Sequence, residues 1–158
     1  MSLESGTYTI KCKLHDNPIG RHLVEDRSLN PKPVYALGTE GNEAPQWTVE
    51  KCEEGYILST RGGRAASIDG KLFAILIEEE IDNAEASWVI EAQPHQGENL
   101  YTVKTKDQSK GWSQTTEAGN QPDTFIIAID HLTVRESLPV QYLPKNLFEF
   151  VPIVDMQD

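Results

Sequence analysis

The chain has little with which to cross-link itself, bind polyanions or span a bilayer. Its 158 residues include only two cysteines, Cys12 and Cys52. Both lie in strand-like runs, and in a reducing compartment two buried thiols are expected rather than a disulfide. Two cysteines and four scattered histidines (His15, His22, His95, His131) show no metal-ligand spacing, so no metal or other cofactor is expected. Acids outnumber bases, and a formal net charge of −11 makes nucleic acid and anionic membranes poor partners. A basic protein, or the basic rim of one, would instead be drawn in. No apolar run approaches the ~20 residues needed to cross a membrane. The segment Met1–Tyr8 has neither the basic start nor the apolar core of a secretory signal, and none of the seven asparagines precedes x-Ser/Thr. A cytoplasmic monomer is expected.

Catalytic signatures are missing too. There is no nucleophile elbow, no phosphate-binding loop, no His-Glu-x-x-His and no calcium loop. The acid cluster Glu78-Glu79-Glu80-Ile81-Asp82 reads as a solvated loop, not as a facing carboxylate pair. An enzyme is not expected. Helix signals are also scarce: Ile77–Ala86 could form a short acidic helix, but its apolar stripe is weak. What the chain does have is strand signal. Short runs rich in Tyr, Val, Ile, Thr and Phe are separated by Gly, Pro, Asn and Asp clusters, the pattern of a barrel or a sandwich.

Internal repeats narrow the choice. Tyr8–Lys13, Tyr56–Arg61 and Tyr101–Lys106 resemble one another, and the motif recurs roughly every 45 residues. Ile19–Glu25, Gly62–Ile68 and Lys110–Thr116 follow, then Pro33–Leu37, Lys71–Ile75 and Thr124–Ile129, then Gln46–Val49, Ser87–Ile90 and Leu147–Phe150. One domain, 1–158, is therefore expected, with repeats at about 6–53, 54–97 and 98–154. The fold class is all-β: a β-trefoil of twelve strands in three four-stranded pseudo-repeats. Six strands would close a short barrel without free edges, and six would form hairpins over one end. Tyr8, Ile10 and Cys12 alternate inward, and Trp47, Trp88 and Phe148 bring one large aromatic per repeat to the core. Aligning Gly20, Gly63 and Gly111 places Trp112 opposite Arg21 and Arg64. The connections Gly38–Pro45, Glu78–Ala86 and Asp130–Asn146 differ most among repeats, and loops are where function is grafted onto a scaffold.

The stretch Glu25–Pro33 stands out among the loops. Pro31 and Pro33 fix φ near ~−65° and bias Asn30 and Lys32 toward extended shapes. Arg27 stands at its centre among acids. A stiff, exposed segment tipped by a long cation is what a trypsin-like protease accepts as substrate, while an ordinary turn with a solvated Arg is the plainer reading of this stretch alone.

Ser2–Gly6, Glu25-Asp26-Arg27-Ser28-Leu29, Pro31-Lys32-Pro33, Trp47-x-Val49-Glu50-Lys51 and the ending Val151-Pro152-Ile153-Val154 together resemble the mycospin family. These are β-trefoil serine-protease inhibitors of basidiomycete mushrooms, and the likeness covers most of the chain. The resemblance implies a trypsin-like serine protease as partner, met by the loop between the second and third strands. Arg27 would be the primary specificity residue and Ser28 the residue after the scissile bond, with Glu25, Asp26, Leu29, Asn30 and Pro31 flanking. Family members that use a loop of repeat three would point to Arg135–Glu136 or Lys145–Asn146. Two alternatives stay open. A lectin-like trefoil would carry Gln-x-Trp, and here Gln46-Trp47 lacks the spacer. A cysteine-protease inhibitor, as among related mushroom trefoils, would use other loops. Glu25 and Asp26 are awkward neighbours for an Arg aimed at trypsin, and hydrogen bonds within the loop are the expected resolution.

Overall fold

The computed structural model describes residues 2–38 and 44–154; most of the Gly38–Pro45 connection lies outside them. Repeat one contributes β1 (Gly6–Cys12), β2 (Asn17–Gly20), β3 (Lys32–Pro33), β4 (Tyr35–Ala36) and β5 (Trp47–Cys52). Repeat two contributes β6 (Gly55–Thr60), β7 (Gly63–Ile68), β8 (Lys71–Ile75) and β9 (Trp88–Ala92). Repeat three contributes β10 (Leu100–Thr105), β11 (Gly111–Ala118), β12 (Phe125–Asp130), β13 (Val134–Arg135), β14 (Gln141–Tyr142) and β15 (Phe148–Pro152). The fifteen strands exceed twelve for two reasons. The third strand of repeat one is split at Val34, and repeat three carries an added hairpin, β13–β14, in its longest connection.

Pairing closes on itself. β1 lies between β15 and β5, β5 pairs with β6, β6 with β9, β9 with β10, and β10 with β15. That ring is the barrel, and it leaves no edge among its members. The hairpins β2–β4, β7–β8 and β11–β12 cap one end and join through β4–β12, β8–β12 and β3–β8. The chain is a β-trefoil. The first strands of repeats one and two alternate inward and outward, so Tyr8, Ile10 and Cys12 are buried, as are Tyr56, Leu58 and Thr60.

The threefold relation is visible in register. Tyr8 faces Trp47, Tyr56 faces Trp88 and Tyr101 faces Phe148. The same register corrects one alignment made from the glycines. Lys11 faces Pro18, Ser59 faces Arg64 and Lys104 faces Gly111. The next residues, Ile19, Ala65 and Trp112, are therefore equivalent, and Trp112 does not correspond to Arg21 or Arg64. Glycine misled the alignment because it marks close approach, which occurs at different points in each repeat. A side chain at Gly20 would overlap Pro45, whereas one at Gly111 would meet the Val103 carbonyl at 2.6 Å. Trp112 is fully buried and touches the aromatic of every repeat, with ring centroids 5.9 Å from Trp47, 5.7 Å from Trp88 and 5.5 Å from Phe148.

The N-terminal segment closes the other end of the barrel. Leu3 is buried, and the tyrosine hydroxyls at the starts of two first strands donate to its neighbourhood: Tyr8 to the Glu4 carbonyl and Tyr56 to the Leu3 carbonyl, each at 2.6 Å. The weak stripe of Ile77–Ala86 makes no helix: Glu78–Glu80 form one 3-10 turn with exposed carboxylates and residues 83–85 a further turn, in keeping with the solvated loop expected of the acid cluster. Two further expectations need correction. Cys12 is buried, but Cys52 is exposed at the end of β5; both thiols are free. Burial pushes the Cys12 thiol up to about 12, which keeps it unreactive. The run Ile19–Glu25 is strand only as far as Gly20, beyond which the chain leaves the sheet.

Trp112→Ala should cost about 3–5 kcal/mol, the usual range for deleting a buried large aromatic. Urea unfolding of parent and variant measures it, and a cost under about 1 kcal/mol would mean that the three repeats do not depend on this ring.

Candidate functional site

The segment 21–31 connects β2 to β3 over the capped end. Its exposed side chains are Leu23, Val24, Asp26, Arg27, Ser28, Leu29 and Asn30. Leu23, Val24 and Leu29 are 82%, 76% and 62% exposed, an unusual density of apolar surface for one loop. The sequence reading missed Leu23 and Val24 because their apolar run looked like a continuing strand. Arg27 lies between them and Leu29, and among the described residues its guanidinium makes no ion pair or hydrogen bond.

Both acids of the loop are paired with buried cations; Glu25 is itself largely buried by its pair, whereas Asp26 lies at the surface with its partner beneath it. Arg21 is buried, and its guanidinium holds the Glu25 carboxylate through two bonds, Nη2 to Oε1 at 2.6 Å and Nε to Oε2 at 3.1 Å. Its remaining nitrogen, Nη1, donates to the carbonyls of Thr60 and Arg61 in the turn of repeat two. Arg61 reciprocates, donating to the His22 carbonyl at 2.7 Å and lying 3.8 Å from Glu25. The His22 ring stacks on Tyr35 with centroids 4.3 Å apart, and burial pushes its pKa down, so it is held neutral. The first half of the loop is thus anchored in two repeats at once.

The second half is anchored by Lys32. Its side chain is buried, which an ammonium tolerates only when its donors are satisfied. Nζ pairs with the Asp26 carboxylate and also donates to the Asp26 carbonyl and the Ser28 hydroxyl, each at 3.2 Å. Asp26 in turn accepts the Ser28 main-chain N–H at 2.9 Å. The Ser28 hydroxyl accepts the Asn30 N–H at 3.3 Å. Lys32 itself is fixed by strand pairing, opposite Ala74, with Pro33 opposite Phe73. Glu25 and Asp26 therefore do hydrogen-bond within the loop, Glu25 to Arg21 and Asp26 to Ser28, with Lys32 adding an ion pair from the strand that follows. Arg21 and Lys32 are the anchoring residues that sequence reasoning did not single out.

The basic positions of repeat three are placed differently. Arg135 is exposed but lies in the β13–β14 ladder, its main chain opposite Gln141. Asn146 is fully buried, its amide bonded to Thr133 N–H and the Trp112 carbonyl. The Lys145–Asn146 bond is consequently not presented to a protease.

A family model described as peptidase inhibitor I66 matches residues 1–152. The chain belongs to the peptidase inhibitor I66 family. It is 36% identical over 152 residues to a serine protease inhibitor from Lentinula edodes, with 96% of this chain and 99% of that one covered. A proteinase inhibitor from Coprinopsis cinerea, solved at high resolution, superposes with a TM-score of 0.84 at 33% identity, over 96% of this chain and 100% of that one. The designed threefold-symmetric protein ThreeFoil shares the fold alone, with a TM-score of 0.65 at 13% identity, covering 94% and 99% of the two chains. The Lentinula edodes and Coprinopsis cinerea proteins are named as inhibitors, not as enzymes.

The anchor makes a pH prediction. The Lys32 ammonium, then the Ser28 hydroxyl and main chain, hold the Asp26 carboxyl below its ordinary value of 3.8, at about 2. The folded value is the lower one, so the stabilisation is complete above the ordinary value and is lost as the pH falls through about 2. An NMR titration should find the Asp26 midpoint near 2, with the Ser28 amide signal moving with it; a midpoint at 3.8 would mean that this carboxylate does not hold the loop.

Proposed function

We propose that this chain is a serine protease inhibitor, directed at trypsin-like enzymes, that presents the 21–31 loop to the active site as a substrate mimic with Arg27 as the specificity residue. The observation that carries the reading is the partition of charge on the loop. Arg21 and Lys32 are buried and paired with Glu25 and Asp26, and Arg27 is the one charged side chain of the loop that has no ion-pair or hydrogen-bond partner among the described residues. Serine protease inhibition itself is the property named for the Lentinula edodes relative. The preference for trypsin and the use of this loop rest on Arg27.

In the complex, the Arg27 guanidinium enters a deep pocket and pairs with a carboxylate at its base, a charge-assisted contact that can be bidentate. The exposed Val24 and Leu29 lie on either side of it, ready to meet apolar subsites. The main chain lies along the cleft and pairs with it strand-fashion. Anchoring at Arg21 and Lys32 reduces the ordering cost of that encounter. Acting this way requires one chain and no cofactor. The lectin-like alternative is disfavoured by the aromatics: Trp47 and Trp88 are wholly buried and offer no platform for a sugar ring.

A titration of trypsin with a small chromogenic substrate, parent beside Arg27→Ala, tests the reading. The parent should inhibit, and the variant should lose about 3 kcal/mol or more, roughly 100-fold in inhibition constant, as a central anchor does. Arg27→Leu should move inhibition toward proteases with an apolar pocket. Equal inhibition of trypsin by parent and Arg27→Ala would refute this assignment.

A further inference from the structure

The Lys32 ammonium contacts residues on both sides of one peptide bond. On the side before Arg27 it reaches Asp26, through both the carbonyl oxygen and the carboxylate. On the far side it reaches the hydroxyl of Ser28. An ammonium has three N–H donors, and these three acceptors use them all. The Asp26 carboxylate adds a second link across the same bond by accepting the Ser28 main-chain N–H. The Lys32 contacts do not use the atoms of the Arg27–Ser28 peptide bond, and the Ser28 nitrogen that Asp26 holds would remain a donor as the freed amine. These contacts would hold the two ends together if the bond were cut.

We infer that Lys32 is the positioning residue that keeps the Arg27–Ser28 ends in register on the protease, so that resealing outruns hydrolysis. The inference rests on the reading of Arg27–Ser28 as the scissile bond. Acylation forms an ester between the protease serine oxygen and the Arg27 carbonyl carbon and breaks the Arg27–Ser28 C–N bond. Ser28 leaves as an amine, taking the serine proton by way of the protease's general base. Two nucleophiles then compete for the ester carbon. If the Ser28 amine attacks, the C–N bond re-forms, the electron pair of the C–O bond returns to the serine oxygen, and the proton lost by the amine goes with it. If water attacks, Arg27 ends as a carboxylate and the inhibitor is nicked. A tethered amine has an effective concentration far above that of a free one and also blocks the approach of water. Lys32 is suited to this work because it does not depend on the loop for its own place. It is buried, and its main chain is paired with Ala74 in the second repeat.

The test is the equilibrium between intact and nicked chain under catalytic trypsin, approached from both sides and read by mass spectrometry, with inhibition followed over the same hours. Parent, Lys32→Met, Ser28→Ala and Arg27→Ala are compared, and thermal unfolding is recorded for each. For Lys32→Met the ratio of nicked to intact chain should rise by about tenfold or more, and its inhibition should fade with time, because several charge-assisted bonds are lost. Ser28→Ala removes one arm at an exposed position and should shift the ratio in the same direction by less. It decides the matter if Lys32→Met does not fold. A purely structural Lys32 would lower the melting temperature while leaving the ratio at the parent value, and that result overturns the assignment while the Arg27 reading stands. If the parent does not inhibit trypsin and is never cut between Arg27 and Ser28, the reading of the site falls, and the Lys32 assignment with it.

Discussion

Trp112 packs against the aromatic that each of the three repeats contributes, and the closure of the fold depends on that contact. Three large rings arriving from Trp47, Trp88 and Phe148 leave a central volume that threefold symmetry cannot fill evenly. The chain fills it from one side. Trp112 stands where repeats one and two have Ile19 and Ala65, so one repeat supplies the bulk and the others make room, the alternation of large and small that dense packing requires. The arrangement alters local hydrogen bonding. Trp47 and Trp88 donate their indole N–H to the carbonyls of Ile19 and Ala65. Phe148 has no such donor, and Asn146 serves the Trp112 carbonyl instead. The Trp112 indole N–H is left without a protein partner. An orphan donor costs about 1–3 kcal/mol, which the burial of a whole indole among three rings outweighs.

The same asymmetry explains why the repeats differ where they face solvent. A rigid barrel tolerates any connection that returns the chain to the right strand, so each loop is free to be built differently. In repeat one the connection is built around charge. A loop bearing two adjacent acids would repel itself and any acidic pocket it approached. Burying a cation beneath each acid solves both problems, since a desolvated cation is tolerable only when paired and each acid supplies the partner. Pairing also sets direction: an Arg21 that must reach Thr60, Arg61 and Glu25 together has one geometry, and the chain around it follows.

Much of the fold was legible because it rests on periodicity. Alternating apolar positions, aromatic fourth strands and turn residues at regular intervals are local signals, and repeated three times they reinforce one another. The errors fell where a signal had two meanings. Leu23 and Val24 are apolar, but they are apolar for solvent, or for whatever meets the loop, and no periodicity distinguishes that from a strand. Cys52 is an exception: it falls on the outward phase of its strand, with Thr48 and Glu50, so alternation counted from Trp47 and Val49 already places it in solvent. Glycine signalled both turn and close packing, and the register of Trp112 was lost between the two. At the proposed site, Arg27 drew attention because it follows two acids and precedes two prolines. Arg21 and Lys32 did not, because their importance lies in burial and in partners that reach into repeat two. Lys32 between two prolines reads only as an extended residue, and it is the pairing of β3 with β8 that brings its ammonium under Asp26 and Ser28.

Two length scales of electrostatics then act separately on a partner. The chain carries a net charge of −11, yet the loop offers a cation. At physiological salt the screening length is about 8 Å, so charges farther than that from a partner are largely screened and the overall field steers it only over the last stretch of its approach. During approach, a partner with a basic rim is steered inward. At contact, what matters is the few ångströms around Arg27, and there Arg21 and Lys32 already offset Glu25 and Asp26. The negative protein can therefore present a positive tip without the two tendencies cancelling. Were either buried cation lost, its acid would stand unpaired within reach of Arg27, and in the proposed complex the carboxylate at the base of the receiving pocket would have to compete with one from the inhibitor itself. Under that proposal the two ion pairs act on specificity as well as on rigidity: they occupy the loop's own carboxylates and so leave the guanidinium for a protease.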